Sequence, residues 1–360
     1  LTNYLGNTIR ILKNPKILYF HSVQSSFVRK DLALLEENFD TKIFFFDPKI
    51  KILLPIQFLK QLIFLLINIR NSSMIITQFG GYQSFLPSFF GKLFSVPSLI
   101  ILGGSDCVSF PSIKYGNFNK KLLGLFTKWS YGLATHLSPV HSSLVKGEYT
   151  YTDDDYPIQG YLNFCPKVKA DYTELCYGYD HEFFSFKKDK IANSFLTVGY
   201  LNHPNYYRKG IDLIFSLAKK KNESTFTIVG GNLKDIPIDD IPENVKMIKS
   251  VSPEKLIDLY GSHEFYLQLS ICEGFPSAIC EAMLCGSIPI GSDVAAIPQI
   301  IGESGFVLKK KDEGLLLKLV DKAINCDKEE MAKSAREQII KNYPINEREK
   351  LITLINKLRK

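Results

Sequence analysis

The sequence predicts an α/β protein built as two parallel-sheet domains, and three observations predict it. Short apolar strand patterns alternate with helical ones along most of the chain, which is the pattern of a parallel sheet wrapped by helices. The alternation runs twice, and a charged, poorly periodic stretch, FKKDKIAN at 186–193, lies between the runs and reads as a linker. At 360 residues, 45% of them apolar, the chain is too long for one ordinary core and suits two.

In the first run, strands are expected at 17–20, 42–46, 74–77, 98–102 and 135–138, with helical patterns at 26–38, 55–69, 82–94 and 119–132. In the second, strands are expected at 194–199, 225–230, 245–249, 264–269 and 288–290, with helices at 209–221, 253–261, 277–285 and 314–324. A last helix, at about 346–360, follows Tyr343 and Pro344. The expected domains are 1–186 and 187–342, with 343–360 as a closing segment.

Composition narrows the classes. Seven cysteines (107, 165, 176, 272, 280, 285 and 326) form no C-x-x-C pair, several lie in apolar runs, and they read as reduced core thiols of a cytoplasmic protein. No charged n-region followed by an apolar h-region opens the chain. Nothing reaches the roughly 18 uninterrupted apolar residues of a membrane span. Residues 52–69 come closest, and Pro55, Gln57, Lys60, Gln61 and Asn68 interrupt them. The formal net charge of +7 is spread over both domains, so it reads as a solvated surface and no nucleic-acid partner is expected.

The most informative stretch is 271–291, ICEGFPSAICEAMLCGSIPIG, with Glu273 and Glu281 eight residues apart across the start of an apolar helix. In a continuous helix that spacing is roughly 12 Å, too far for two carboxylates to share one scissile bond. Their spacing suits the two ends of one extended polar ligand instead. Between them lie the free N–H groups and positive dipole end of the helix, which favour a phosphate. Sugar, phosphate and ribose fit in that order.

Glu273, Gly274, Phe275 and Pro276, followed by Glu281, Ala282 and Met283 and then by Gly286 and Pro289, resemble the E-x7-E signature of retaining glycosyltransferases of the GT4 type. The resemblance implies the GT-B fold, two Rossmann-like domains facing across a cleft, with the last helix crossing back to the first. Leu102, Gly103, Gly104, Ser105 and Asp106 are similar to that family's His-Gly-Ser-Asp segment, with Gly103 where the histidine stands. Arg208, Lys209, Gly210, Ile211 and Asp212 resemble its Lys-Gly-Val-Asp segment, with Tyr200 in place of an upstream arginine. Phe226 to Gly231 resembles the strand end against which the nucleotide lies, at Gly230.

The resemblance implies a role for each residue. Glu281 would hold the ribose, and Arg208 and Lys209 the diphosphate. The N–H groups of Ser277 and Ala278 would hold a phosphate. Glu273, with Gly274 and Phe275 beside it, would hold the transferred sugar. Asp106 is expected at the acceptor, so catalysis falls to Glu273, Lys209 and Asp106. A basic pair just before a helix meets a like-signed dipole end, which points to a bound anion. The donor is then a nucleotide sugar, the acceptor a saccharide or lipid-linked molecule, and neither a metal nor a resident cofactor is implied.

Asp153, Asp154 and Asp155 read as either a metal triplet or a solvated loop, the loop being favoured. The six histidines show no H-x3-H or H-E-x-x-H spacing. Neither glycine-rich turn has the G-x-G-x-x-G of a dehydrogenase. Two other classes stay open: a nucleotide-sugar epimerase of the same fold, and a nucleotide-binding protein without turnover. For the apolar helix flanked by Lys49, Lys51, Lys60 and Arg70 there are also two readings. It covers the first sheet, or it rests on an anionic membrane surface at the inner face of the membrane.

Overall fold

The computed structural model describes residues 14–231 and 241–359. The opening residues, where no targeting segment is expected, lie outside the described residues, as do Lys360 and part of the expected second domain.

The first sheet is built from β1 (Lys16–His21), β2 (Asp40–Phe45), β3 (Met74–Gln78), β4 (Ser98–Leu102), β5 (His136–Pro139) and β6 (Asp171–Tyr172), in the order β2-β1-β3-β4-β5-β6. The second is built from β7 (Ile191–Val198), β8 (Thr225–Val229), β9 (Val245–Ile248), β10 (His263–Gln268), β11 (Ile288–Ser292) and β12 (Phe306–Leu308), in the order β9-β8-β7-β10-β11-β12. Every pairing in both sheets is parallel. The central strands are therefore buried on both faces, and Ile17 to Phe20, Met74 to Ile76 and Leu99 to Leu102 are fully buried. Phe195 stacks between Phe226 and Phe265, each 4.9 Å away, and so joins three adjacent strands. Strand order reverses between β1 and β3 and between β7 and β10, and ligands of open α/β sheets bind at such points.

The helices that matter below are α1 (Ser26–Asn38), α2 (Leu54–Asn68), α3 (Tyr82–Phe94), α4 (Lys121–Leu133), α5 (His203–Arg208), α6 (Ile211–Lys220), α7 (Pro253–Ser262), α8 (Ser277–Leu284), α9 (Ile297–Ile301), α10 (Glu313–Ile324), α11 (Lys328–Asn342) and α12 (Lys350–Leu358). Three of these, α5, α9 and α11, are not expected from the sequence. The buried stripe of α11 is Ala332, Ala335 and Ile339, too small to register as an apolar period, although its cap is plain: Asp327 accepts from Glu330 N at 3.1 Å.

Leu351, Leu354 and Ile355 of α12 are buried in a cluster with Ile17, Tyr19, Val28 and Met74 of the first domain. Just before that helix, Arg348 pairs bidentately with Asp31 of α1 at 2.7 and 2.8 Å, donates to Leu175 O at 2.9 Å, and lies over the Tyr177 ring.

Among the described residues, the helical segment Lys51–Asn71 alone is long and apolar enough to cross a membrane by length and composition, the interrupting polar residues notwithstanding. It lies along the first domain instead. Leu65 and Ile69 pack on Leu18, Phe20 and Ile75, and buried Gln61 donates to Gln83 O at 2.8 Å. Its other face, Ile52, Ile56, Leu59, Ile63, Leu66 and Ile67, is exposed. The helix covers the sheet on one side and presents an apolar stripe on the other.

Candidate active site

The loops at the carboxyl ends of β7 and β10 are tied together where the second sheet reverses its order. Ile271 N donates to Arg208 O at 2.8 Å, which sets the loop carrying Glu273 against the one carrying Arg208 and Lys209. Lys209 Nζ reaches Glu273 Oε1 at 2.5 Å, Arg208 Nη1 stands 3.9 Å from the same oxygen, and Gln268 Nε2 donates to it at 3.2 Å. Burial alone would raise the Glu273 carboxyl; Lys209, then Arg208, outweigh it and hold the group below the usual carboxylate range. Two cations share one carboxylate here, so the cluster keeps a positive excess.

Arg208 is itself well held. It donates through Nε to Asn205 Oδ1 at 2.8 Å and lies over the Tyr115 ring of the first domain at 5.0 Å. The pair also sits differently from the sequence expectation. Arg208 ends α5 and Lys209 follows it, yet both still stand just before the start of α6 at Ile211, so the two helix ends act on the pair with opposite signs. The dipole argument for a bound anion is therefore offset, and the positive excess over Glu273 carries more of the weight.

Glu281 faces a different setting. It lines an interdomain cavity of about 560 Å³ together with Ser26, Phe27 and Lys30 of the first domain and Val251, Pro253 and Ser277 of the second. That volume is within the usual range for a small-molecule site. Burial pushes the Glu281 carboxyl up, while the Tyr260 hydroxyl, donating at 3.0 Å, and the charge of Lys30 pull it back in part. Lys30 also lies 5.5 Å from the centre of the Tyr179 ring. The N-terminus of α8, at Ser277 and Ala278, opens between the two glutamates in sequence, and Ser277 Oγ accepts from the Tyr179 hydroxyl at 2.9 Å.

Other predicted residues serve the walls. Asp106 is fully buried, and both its oxygens are taken: Oδ1 accepts from Gly103 N and Gly104 N, and Oδ2 from Gly80 N and the Tyr131 hydroxyl. Burial raises its pKa against those donors. It therefore shapes the loop and has no oxygen left for an acceptor, which corrects its expected place. The Phe275 ring packs on Tyr179 and edge-on against Tyr343, 5.1 Å away, so only its backbone is left to meet a ligand. Gly274 is needed for closeness: a Cβ there would lie 2.1 Å from Gly103 O of the facing domain. Gly230 ends β8 against the Gly199 loop.

Gly103 has an equally direct reason. A side chain at 103 would run into the Phe79 ring, whose Cε1 lies 1.7 Å from the Cβ position. Phe79 holds a left-handed backbone, φ 63°, to put its ring there. The aspartate triplet is a structural loop: Asp155 accepts from Ser112 and Thr152, and Asp153 pairs with Lys310. Sequence reasoning missed Lys30, Tyr115 and Tyr260, because no local pattern marks a residue that reaches the site from a separate element.

Residues 179–344 match the family model described as glycosyl transferases group 1. The match takes in most of the second domain. The fold agrees over nearly the whole chain. Sucrose-phosphate synthase from Thermosynechococcus elongatus superimposes with a TM-score of 0.70 at 14% identity, covering 96% of this chain and 99% of that one. The Anabaena protein HepE, in complex with UDP-glucose, gives 0.67 at 13% identity, covering 95% and 100%. The two-domain arrangement is the GT-B fold.

Among curated proteins, the gpi3 subunit of the phosphatidylinositol N-acetylglucosaminyltransferase of Schizosaccharomyces pombe is 28% identical over 122 residues, 31% of this chain. The human phosphatidylinositol N-acetylglucosaminyltransferase contributes a relative that is 27% identical over 128 residues, 33% of this chain. The matched segment spans 26% of each of these relatives.

Proposed function

We propose that this chain is a retaining glycosyltransferase that moves a sugar from a nucleotide-sugar donor, without a metal ion, to a lipid-linked acceptor at the cytoplasmic membrane face. The observation that carries the reading is the cluster of Arg208, Lys209 and Glu273 at the reversal of strand order, with Glu281, eight residues on, lining an interdomain cavity. Arg208, Lys209 and the N–H groups at the start of α8 would meet the diphosphate. Glu273 would hold sugar hydroxyls and Glu281 the ribose.

In the transfer, the bond from the anomeric carbon to the diphosphate oxygen breaks, and a bond to the acceptor oxygen forms. The acceptor proton ends on the departing diphosphate. Negative charge grows on that group, so the two fixed cations act most strongly where the barrier is highest. The neighbour in complex with UDP-glucose supports a nucleotide-sugar donor, and the relatives' name supports a lipid acceptor. The apolar outer face of α2 supports a membrane setting.

The test is release of nucleoside diphosphate from a panel of nucleotide sugars, with and without phosphatidylinositol-containing vesicles, and the product anomer read by NMR. Acceptor-dependent release with the donor's anomeric configuration kept is expected. Inverted product would overturn the retaining reading. Conversion of the donor sugar with no acceptor present would make the protein an epimerase.

A further inference from the structure

The far side of the first domain carries a second cavity, of about 510 Å³, with walls that include Phe85, Trp129, Leu133 and Val168 and with Lys128 and Lys167 also lining it. It is remote from the cleft. Leu133 ends α4 just before β5 begins, whereas the cleft lies at the carboxyl ends of the strands.

Three observations bear on its occupant. The walls are apolar and aromatic, with Trp129 packed 5.6 Å from Phe85 and 5.5 Å from Phe126. Lys128 and Lys167 are both exposed, and among the described residues neither has a carboxylate partner. Finally, Gly132 also lines the cavity, although glycine is the poorest helix former after proline. A Cβ at 132 would meet nothing within 4 Å, so packing does not require a glycine there. What the glycine preserves is the open space.

We propose that this cavity is a binding site for an anionic amphiphile, with one acyl chain seated between Phe85, Trp129 and Val168 and its phosphate or carboxylate head between Lys128 and Lys167. An apolar pocket under paired cations matches that chemistry at both ends. The site is distinct from the donor cleft, and it stands apart from the membrane reading because a monomeric amphiphile can fill it with no bilayer present.

Trp129 is the chain's single tryptophan, so its emission reports on this cavity directly. The full chain is titrated with a brominated fatty acid below its micelle concentration, and separately with phosphatidylglycerol vesicles bearing brominated chains. Saturable quenching is expected, weakened at least tenfold in Gly132→Leu. Lys128→Gln with Lys167→Gln should weaken the acid and spare the neutral alcohol of the same chain. Gly132→Ala and a thermal melt of each variant separate cavity filling from misfolding. Quenching by vesicles identifies a bilayer lipid as the source of the chain, and quenching by the acid alone identifies a free fatty acid. No saturable quenching by either probe, or quenching unchanged in a folded Gly132→Leu, overturns the proposal.

Discussion

Lys209 Nζ donates to Glu273 Oε1 at 2.5 Å across the reversal point of the second sheet, with the side chains only 16% and 12% exposed. A pair so placed is costly to break from one side, because the remaining charge keeps its burial and loses its partner. The same pair holds Lys209 in place before any ligand arrives, so a diphosphate meets an ordered cation.

Removing the cation tests this. Lys209→Met should destabilise the protein by about 3 kcal/mol, and the double variant with Glu273→Gln should recover part of the loss. The sign of the pH dependence follows from the lowered Glu273 pKa. Its stabilisation is present above the unfolded value of about 4.3 and is lost as pH falls through the lower folded one. Urea melts across that acid range should show a shallower loss in Glu273→Gln than in wild type.

Glu281 has the opposite sign. Burial raises its folded pKa, so its contribution is fully present below the unfolded value and is lost as pH rises through the raised one. Glu281→Gln should therefore melt at a higher temperature than wild type at neutral pH, and it should bind nucleoside diphosphate more weakly. Glu273→Gln loosens the Lys209 cation that Glu273 orders and should lower transfer more than it lowers nucleoside diphosphate affinity, because Glu273 meets the sugar directly and the diphosphate only through Lys209. Equal effects of the two substitutions on nucleotide affinity would sink the assignment of the two ends.

The central strands were legible because burial on both faces leaves continuous apolar runs such as Met74 to Ile76. β6, two exposed residues at a sheet edge, left no such run. α5 is six residues long, and its cap, Asn202 accepting from Asn205 N, was easy to pass over inside a loop. In the site, Glu273 stood out through its spacing from Glu281, and Arg208 and Lys209 through the resemblance of their segment. Asp106 misled because sequence shows that a carboxylate is present and not which donors surround it. Phe79 was invisible as the reason for Gly103, since the clash runs between two separate strand ends.

Arg348 and Asp31 join the closing segment to α1 through a fully buried bidentate pair. Arg348→Met strands Asp31 and should cost about 3–5 kcal/mol, read as a large drop in the urea midpoint. Pairing it with Asp31→Asn should return part of that loss. A single-variant effect under 1 kcal/mol would mean that solvent reaches the pair.

Affinity for a nucleoside diphosphate should survive addition of a chelator, since Lys209, Arg208 and the α8 terminus meet the charge. A loss greater than tenfold, about 1.4 kcal/mol, would count against the cation cluster as the diphosphate site.

The outer stripe of α2 leads to the last expectation. Ile63 and Ile67 are 49% and 73% exposed, and Lys49, Lys51, Lys60 and Arg70 flank or punctuate the same face. Apolar contact and charge should then act together, so the protein should sediment with phosphatidylglycerol vesicles at low salt. Screening shortens the reach of the lysines to about 10 Å at 0.1 M salt, and binding should weaken as ionic strength rises. Ile63→Asp with Ile67→Asp alters side chains that already face solvent, so the fold and nucleotide affinity should hold while vesicle binding falls at least tenfold. If wild type stays in the supernatant at low salt, α2 is cover for the sheet alone and the acceptor has to reach the cleft from solution.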